Sequence, residues 1–176
     1  MADSQQAKIF LQSARDVLSE GFRKIEHCVN QLTDEQVWWR DRPQMNSIAN
    51  LMLHLSGNVR QWIVSGVGGE ADNRNRPAEF SDRSDRTKGE ILAILQGTCG
   101  EADAAMARQT AADLVSPRKI QGFDSDVTSA IMHCISHFRG HTQEIIHLTR
   151  LQLGEKYQFD FVPQGAAQVS ASGPKL

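Results

Sequence analysis

Three histidines have the side-chain type and the spacing that could bind a divalent metal ion. His137 and His141 are four residues apart, at positions of an apolar pattern where a leucine would normally sit. Side chains four residues apart on a helix lie on one face, with about 5–6 Å between their Cβ atoms. Two imidazoles at this spacing can reach one ion at roughly 2.0–2.1 Å.

His54 is the natural third ligand. It lies beside Leu51 and Leu55, at the edge of the apolar stripe of a second predicted helix. Facing helices of a bundle build metal sites in this way, from side chains that project inward. Three histidine ligands leave positions open for water or substrate, which is typical of catalytic rather than purely structural zinc sites.

A metal-free interpretation stays open on spacing alone. One buried histidine is more often hydrogen-bonded to a neighbour than bound to a metal. Two buried imidazoles without partners would, however, destabilise the fold by roughly 1–3 kcal/mol each. His133 lies one turn before His137, but its ring is expected at the helix flank. His27 and His147 fit surface positions, and these three histidines are left out of the predicted site.

Polar neighbours could orient the three histidines or take part in chemistry. Asn50 and Asn58 lie four residues on either side of His54, and Glu144 follows His141 by three. Metal-bound histidines usually donate their second N–H to such groups. Glu144 is also a candidate general base, and the alternative for it is a solvated helix residue.

Apolar periodicity predicts the helices that position these side chains. Apolar residues recur at spacings of three and four, the mark of a buried helix face, over 5–31, 47–66, 87–113 and 127–152. Thr33 and Gln36 form a capping signal for a short helical turn, and Ser47 is expected to cap the second long helix. No strand pairs are expected, so the chain is predicted to be an all-α four-helix bundle.

The connections carry further predictions. Segment 67–86 is long and polar for a compact domain, so a lid, a crossover and a plain surface loop all stay open. Residues 114–126 are predicted to be a turn-rich link with Phe123 tucked under the bundle end. Residues 155–162 suggest an extended aromatic strap. Residues 163–176 have little to bury and are expected to be a disordered tail, which leaves 1–162 as a single domain.

Composition narrows the function classes. The 176 residues carry a net charge of -2 and a pI of about 6.3, which does not favour a nucleic-acid partner. The N-terminus lacks a secretory pattern, and no apolar run approaches the roughly 20 residues that span a bilayer. Three widely spaced cysteines indicate reduced thiols in a cytoplasmic protein. Of these, Cys134 could be a fourth ligand, although a buried core position is favoured.

Three stretches carry a resemblance to a known family. They are Leu-Thr-Asp-Glu-Gln-Val-Trp-Trp-Arg at 32–40, Asn-Ser-Ile-Ala-Asn-Leu-Met-Leu-His-Leu-Ser-Gly-Asn-Val-Arg-Gln-Trp-Ile at 46–63, and His-Phe-Arg-Gly-His-Thr-Gln-Glu-Ile at 137–145. On these motifs the chain resembles the DinB-like (DinB/YfiT) superfamily of metal-dependent bundles. Within that superfamily it is most similar to the DUF1572 branch, over residues 5–153.

The resemblance implies both a topology and a ligand set. The bundle should run up-down-down-up, with the long crossover at 67–86 between the second and third helices. One divalent ion should be held by His54, His137 and His141. Zinc and nickel are the usual ions, and imidazole ligands favour zinc without excluding nickel, iron or manganese. Look-alikes are commonly dimeric, so a homodimer is expected.

Three functions follow from these expectations. Some members of the superfamily are thiol-dependent S-transferases, which implies a small-molecule substrate and a low-molecular-weight thiol. Trp39 and Trp62 could form walls of the substrate pocket, but core packing is the preferred interpretation for both. A second function is metal-dependent hydrolysis of an amide or ester, with Glu144 as base. A third is a non-catalytic dimeric bundle with a structural metal or a stress-response role. No nucleic-acid or membrane partner is expected.

Overall fold

Four long helices form the body of the molecule, which the computed structural model describes over residues 2–84 and 86–161. The predicted all-α class is confirmed. In chain order the helices are α1 (Ala2–Asn30), α2 (Asp34–Trp38), α3 (Ile48–Val59), α4 (Arg76–Ser81), α5 (Lys88–Ala107), α6 (Ala111–Leu114) and α7 (Val127–Leu153). A π-helical segment, Arg60–Ser65, continues α3, and a 3₁₀ turn, Gly154–Lys156, follows α7. None of the described helices is long and apolar enough to cross a membrane.

Helices α3 and α5 run side by side in the same direction. Ser56 and Thr98 share a hydrogen bond of 2.8 Å between their hydroxyls, and one turn later Arg60 pairs with Glu101 at 2.6 Å. Residue numbers rise together along this contact, so the helices are parallel. Parallel neighbours need a long connection, and segment 67–86 supplies it.

Helices α3 and α7 run in opposite directions and form the interface that carries the histidines. His54 lies against His137, whereas Trp62, about two turns further along in the π-helical continuation of α3, packs on His133 at 4.1 Å between ring centroids. Helix α1 closes the bundle against α5 and α7. The interior is mainly apolar, and its largest fully buried side chains include Ile25, Leu51, Leu95, Ile131 and Phe138.

Capping side chains fix where the site-bearing helices begin. The predicted caps at Thr33 and Ser47 are both present as capping boxes. Ser47 accepts from the backbone N–H of Asn50, and the Asn50 side chain accepts from the backbone N–H of Ser47. These bonds satisfy N–H groups that a helix start leaves unpaired. They place His54 about two turns after the capped end.

Segment 67–86 contains a short helix of its own. Asn75 caps α4 by accepting from the backbone N–H of Ala78, and Pro77 lies in the first turn, where its missing N–H is harmless. Helix α4 packs against α3. The Nδ2 group of Asn50 donates to the carbonyl oxygens of Glu79 and Asp82 at 3.0 and 3.2 Å, so α4 is tied to the start of α3.

The expectation of no strand pairs is wrong. Strands β1 (Pro117–Ile120) and β2 (Phe123–Asp126) form an antiparallel hairpin. Its turn, Gln121-Gly122, has φ of 54° and 83°, as a two-residue hairpin turn requires. Each strand is too short to show an apolar alternation in the sequence. Ile120 is the buried residue of the hairpin and packs at Gly66, whereas Phe123 is 64% exposed and is not tucked under the bundle.

The end of α5 and the strap also differ from prediction. Helix α5 ends at Ala107, because Thr110 caps the separate helix α6. After Gly154 the chain forms no strand among the described residues, and only Tyr157 packs against the core, with Phe159 and Phe161 mostly exposed. The predicted tail 163–176 lies outside the described residues.

Candidate metal centre

Three imidazoles converge between α3 and α7. The Nε2 atoms of His54 and His137 are 2.9 Å apart, and one ligand atom from each of His54, His137 and His141 lies within 4.8 Å of the others. His54 is 4% exposed, whereas His137 and His141 are half-buried. The group is therefore closed on the α3 side and open to solvent on the α7 side.

The fold brings these residues together through two simple relations. His137 and His141 share one face of α7 because they are four residues apart, and their ring centroids are 4.6 Å apart. His54 approaches from antiparallel α3, with its ring centroid 5.2 Å from that of His141. The three predicted ligands are thus in one place.

His54 has a buried carboxylate behind it. Its Nδ1 atom is 2.8 Å from Oε2 of Glu79, which lies on α4. Arg74 donates to both oxygens of that carboxylate, from Nε at 2.7 Å and from Nη2 at 2.9 Å. Burial alone would raise the pKa of Glu79, but the hydrogen bonds from Arg74 and His54 outweigh it and hold the pKa below its usual range. Glu79 is therefore an ionised acceptor for the Nδ1 proton of His54.

His141 has a carboxylate partner on its own helix. Its Nδ1 atom is 2.7 Å from Oε2 of Glu144, three residues later. The hydrogen bond from His141 lowers the pKa of Glu144, so this carboxylate is also an ionised acceptor. Because a neutral imidazole carries one proton, placing it on Nδ1 leaves the Nε2 lone pair of His141 free. The same holds for His54, where Nη2 of Arg74 also lies 3.2 Å from Nδ1 but is closer to Oε2 of Glu79, at 2.9 Å.

These properties fit a divalent metal. Burial, helped by the neighbouring His141 and His54, lowers the pKa of His137 to about 4, so the neutral ligand form is favoured. A tetrahedral site with metal–nitrogen distances of about 2.0–2.1 Å separates its nitrogens by about 3.3 Å. That separation is close to the 2.9 Å between the two Nε2 atoms. Carboxylate acceptors on Nδ1 are also the usual second partners of metal-bound histidines.

Glu79, Arg74 and Phe80 also belong to the site, and the sequence pattern did not predict them. Phe80 covers the His54 ring at 4.7 Å between centroids, with an interplanar angle of 37°. All three belong to segment 67–86, where no periodicity marks an inward face. The signal that could have revealed them is the helix start at Asn75 and Pro77, which places Glu79 within a helical turn.

Other residues considered for the site lie elsewhere or have other partners. Cys134 is fully buried in the core, and burial raises the pKa of its thiol. His133 is exposed and stacks on Trp62. Trp62 is a core residue, as preferred, whereas the core position preferred for Trp39 is wrong, because that side chain is 39% exposed. Asn58 is buried, and its Oδ1 has no hydrogen-bond partner among the described residues.

Comparisons with known proteins place the chain among relatives of the same fold. The family model described as "Protein of unknown function (DUF1572)" matches residues 5–166. A conserved protein from Enterococcus faecalis superposes with a TM-score of 0.67 at 13% identity, covering 81% of this chain and 96% of the other. A DinB-like protein from Bacillus cereus ATCC 10987 superposes with a TM-score of 0.61 at 18% identity, covering 81% and 90%. No curated protein matches the sequence.

Proposed function

The chain belongs to the DUF1572 family and shares the fold of a DinB-like protein, and from its histidine geometry we propose that it binds one divalent metal ion through His54, His137 and His141. The observation that carries this proposal is the pair of carboxylates on the far side of the imidazoles. Glu79 and Glu144 each accept an Nδ1 proton, the Nε2 atoms of His54 and His137 are 2.9 Å apart, and one ring nitrogen from each of the three histidines lies within 4.8 Å of the others. Hydrogen bonding among core polar residues alone does not require this common orientation.

Zinc is the favoured ion, with nickel the alternative, because neutral imidazole nitrogens suit both. The half-buried state of His137 and His141 supports a site with open positions rather than a closed structural one. The chain itself orients the three imidazoles, covers the His54 ring with Phe80 and leaves the α7 side accessible.

The finer proposal is transfer of a low-molecular-weight thiol to a small electrophile. A divalent ion at this site supplies the positive charge that lowers the pKa of a thiol. In the transfer the thiol loses its proton to the solvent, the sulfur forms a bond to carbon, and the leaving group departs with the electron pair of the broken bond. Amide or ester hydrolysis with Glu144 as base is less favoured, because Oε2 of Glu144 already accepts the proton of His141.

Calorimetric titration of zinc into chelator-stripped protein tests the metal site. The wild type is expected to bind one ion per chain, and His54→Ala and His137→Ala are expected to lose that binding. His147→Ala is the matched control, since His147 is an exposed histidine of the same helix α7. Equal binding by all four proteins would contradict the assignment.

Consumption of a model electrophile by the zinc-loaded protein tests the chemistry. If the protein is a thiol transferase, consumption depends on added thiol and is lost in His137→Ala but not in His147→Ala. If the electrophile is consumed equally well without thiol, the hydrolytic alternative replaces thiol transfer.

A further inference from the structure

We propose that Arg74 and Glu79 are positioning residues that make metal affinity depend on the docking of the crossover segment 67–86 against α3. The inference rests on the proposed metal binding. The crossover then has a second role besides connecting the parallel helices α3 and α5. The crossover supplies the group that orients His54, and an ion bound by His54 in turn holds the crossover in place.

The Glu79 carboxylate connects the crossover to the proposed metal site. Oε2 accepts from Nδ1 of His54 at 2.8 Å and from Nη2 of Arg74 at 2.9 Å, and Oε1 accepts from Nε of Arg74 at 2.7 Å. The Arg74 side chain is 3% exposed and that of Glu79 is 9% exposed. A buried carboxylate without a cation is strongly unfavourable. Arg74 is thus required for Glu79 to act as an ionised acceptor for His54.

Arg74 is itself fixed by further contacts. Its Nη1 donates to Oε1 of Gln61 at 2.9 Å, in the π-helical segment that continues α3. Nε2 of Gln61 donates to Asp72 at 2.7 Å, and Asp72 accepts from the backbone N–H of Arg74 at 3.1 Å. These bonds leave the guanidinium little freedom to turn. The crossover therefore contacts α3 before Gly57, at His54, and the π-helical continuation of α3 after Gly57, at Gln61.

Gly57 marks how closely the crossover approaches α3. A Cβ atom at this position would lie 1.9 Å from Oε1 of Glu79 and 3.1 Å from Nε of Arg74. Glycine is disfavoured in a helix interior, yet here only glycine leaves room for the ion pair. Alanine at residue 57 must displace the carboxylate from its position behind His54.

Linkage makes the coupling reciprocal. If the docked crossover raises metal affinity by some factor, saturating metal must favour the docked state over the undocked state by the same factor. Groups that orient a metal-bound histidine typically change metal affinity by about 10–100-fold. Zinc is therefore expected to lower the equilibrium constant for opening of the crossover by a factor of that order.

Zinc affinities of folded variants give the first test. Glu79→Gln keeps the shape of the side chain but removes the charge that Arg74 and His54 share, so its zinc Kd is expected to rise about 10–100-fold. Glu101→Gln is the matched control, because Glu101 pairs with Arg60 at an exposed position. Gly57→Ala should weaken zinc binding by a factor similar to that of Glu79→Gln. Gly97→Ala should not, since a Cβ at Gly97 meets nothing within 4 Å.

Hydrogen exchange supplies the second readout, which a merely structural ion pair would not move. In the wild type, saturating zinc is expected to slow amide exchange across 70–82. The factor should be roughly the one by which Gly57→Ala weakens zinc binding. In Glu79→Gln that zinc-dependent protection should be absent. A wild type that binds zinc, with unchanged affinity in Glu79→Gln or unprotected exchange at 70–82, overturns the coupling alone. A wild type that binds no zinc overturns the proposed function and the coupling together.

Discussion

Glu79 and Glu144 each accept a hydrogen bond from Nδ1 of one histidine, but their surroundings differ. Glu79 is buried and held by Arg74, whereas Glu144 is half-buried on the open side of the site. Water can replace an accessible acceptor more readily than a buried one. The two carboxylates are therefore expected to differ in how strongly their loss weakens a bound metal.

At Glu144 the expected effect on metal binding is small. Glu144→Ala should raise the zinc Kd by about tenfold, the lower end of the range for such partners, because water can take over the Nδ1 proton of His141. A competition titration with a zinc-binding dye measures this change, with Glu155→Ala at an exposed position as control. If Glu144→Ala lost more zinc affinity than Glu79→Gln, the expected order of the two carboxylates would be contradicted.

The three cysteine thiols are predicted to be unreactive in the folded protein. Cys28, Cys99 and Cys134 are buried, and burial raises the pKa of each thiol, to about 12 for Cys99. At pH 8 almost no thiolate is present, and its fraction grows only as the pH rises toward that value. Mass spectrometry after iodoacetamide treatment should find native protein unmodified and denatured protein modified on all three. Rapid labelling of the native protein would contradict this.

Individual residues differ in how far the sequence could reveal them. His137, His141 and Glu144 follow from one rule, the periodicity of a single helix. His54 needed the additional assumption that two helices face each other, and family resemblance supported it. Glu79 lies 25 residues from His54 in an aperiodic segment, so nothing local relates the two. Its role depends on where the crossover docks, which is a tertiary fact.

Among the secondary-structure elements, the capped start of α3 is predicted to matter most for the site. Ser47→Ala removes the acceptor for the backbone N–H of Asn50 and the hydroxyl that donates to the Asn50 side chain. We expect the free energy of unfolding to fall by about 1 kcal/mol, the usual effect of losing a serine cap. Urea denaturation measures it. Ser13→Ala, at an exposed position within α1, should leave the stability within about 0.5 kcal/mol.

The presence of each long helix could be predicted from its apolar spacing. The end of a helix could be predicted wherever a capping side chain was recognised. The π-helical segment Arg60–Ser65 did not follow, because its apolar pattern continues that of α3. The hairpin 117–126 did not follow either, since four-residue strands carry too few side chains to show a period of two. Its position is instead set by the contact of Ile120 with Gly66, which joins distant parts of the chain.

For the whole molecule, helix pairing decides what the site can be. Parallel α3 and α5 require the crossover, and antiparallel α3 and α7 bring His54 to the histidine pair. The all-α class was predictable because each long helix has its own apolar face. The contacts between the crossover and α3 were not, because polar side chains make them through tertiary hydrogen bonds.

The central claim, one metal ion per chain on three histidines, is tested most directly by elemental analysis of protein purified without a His tag or chelating resin. We predict close to one divalent ion per chain in the wild type and in His147→Ala, and almost none in His54→Ala and His137→Ala. A wild type that is metal-free and cannot be loaded with zinc, nickel or manganese would contradict the claim. The three histidines would then be polar residues of a bundle interface.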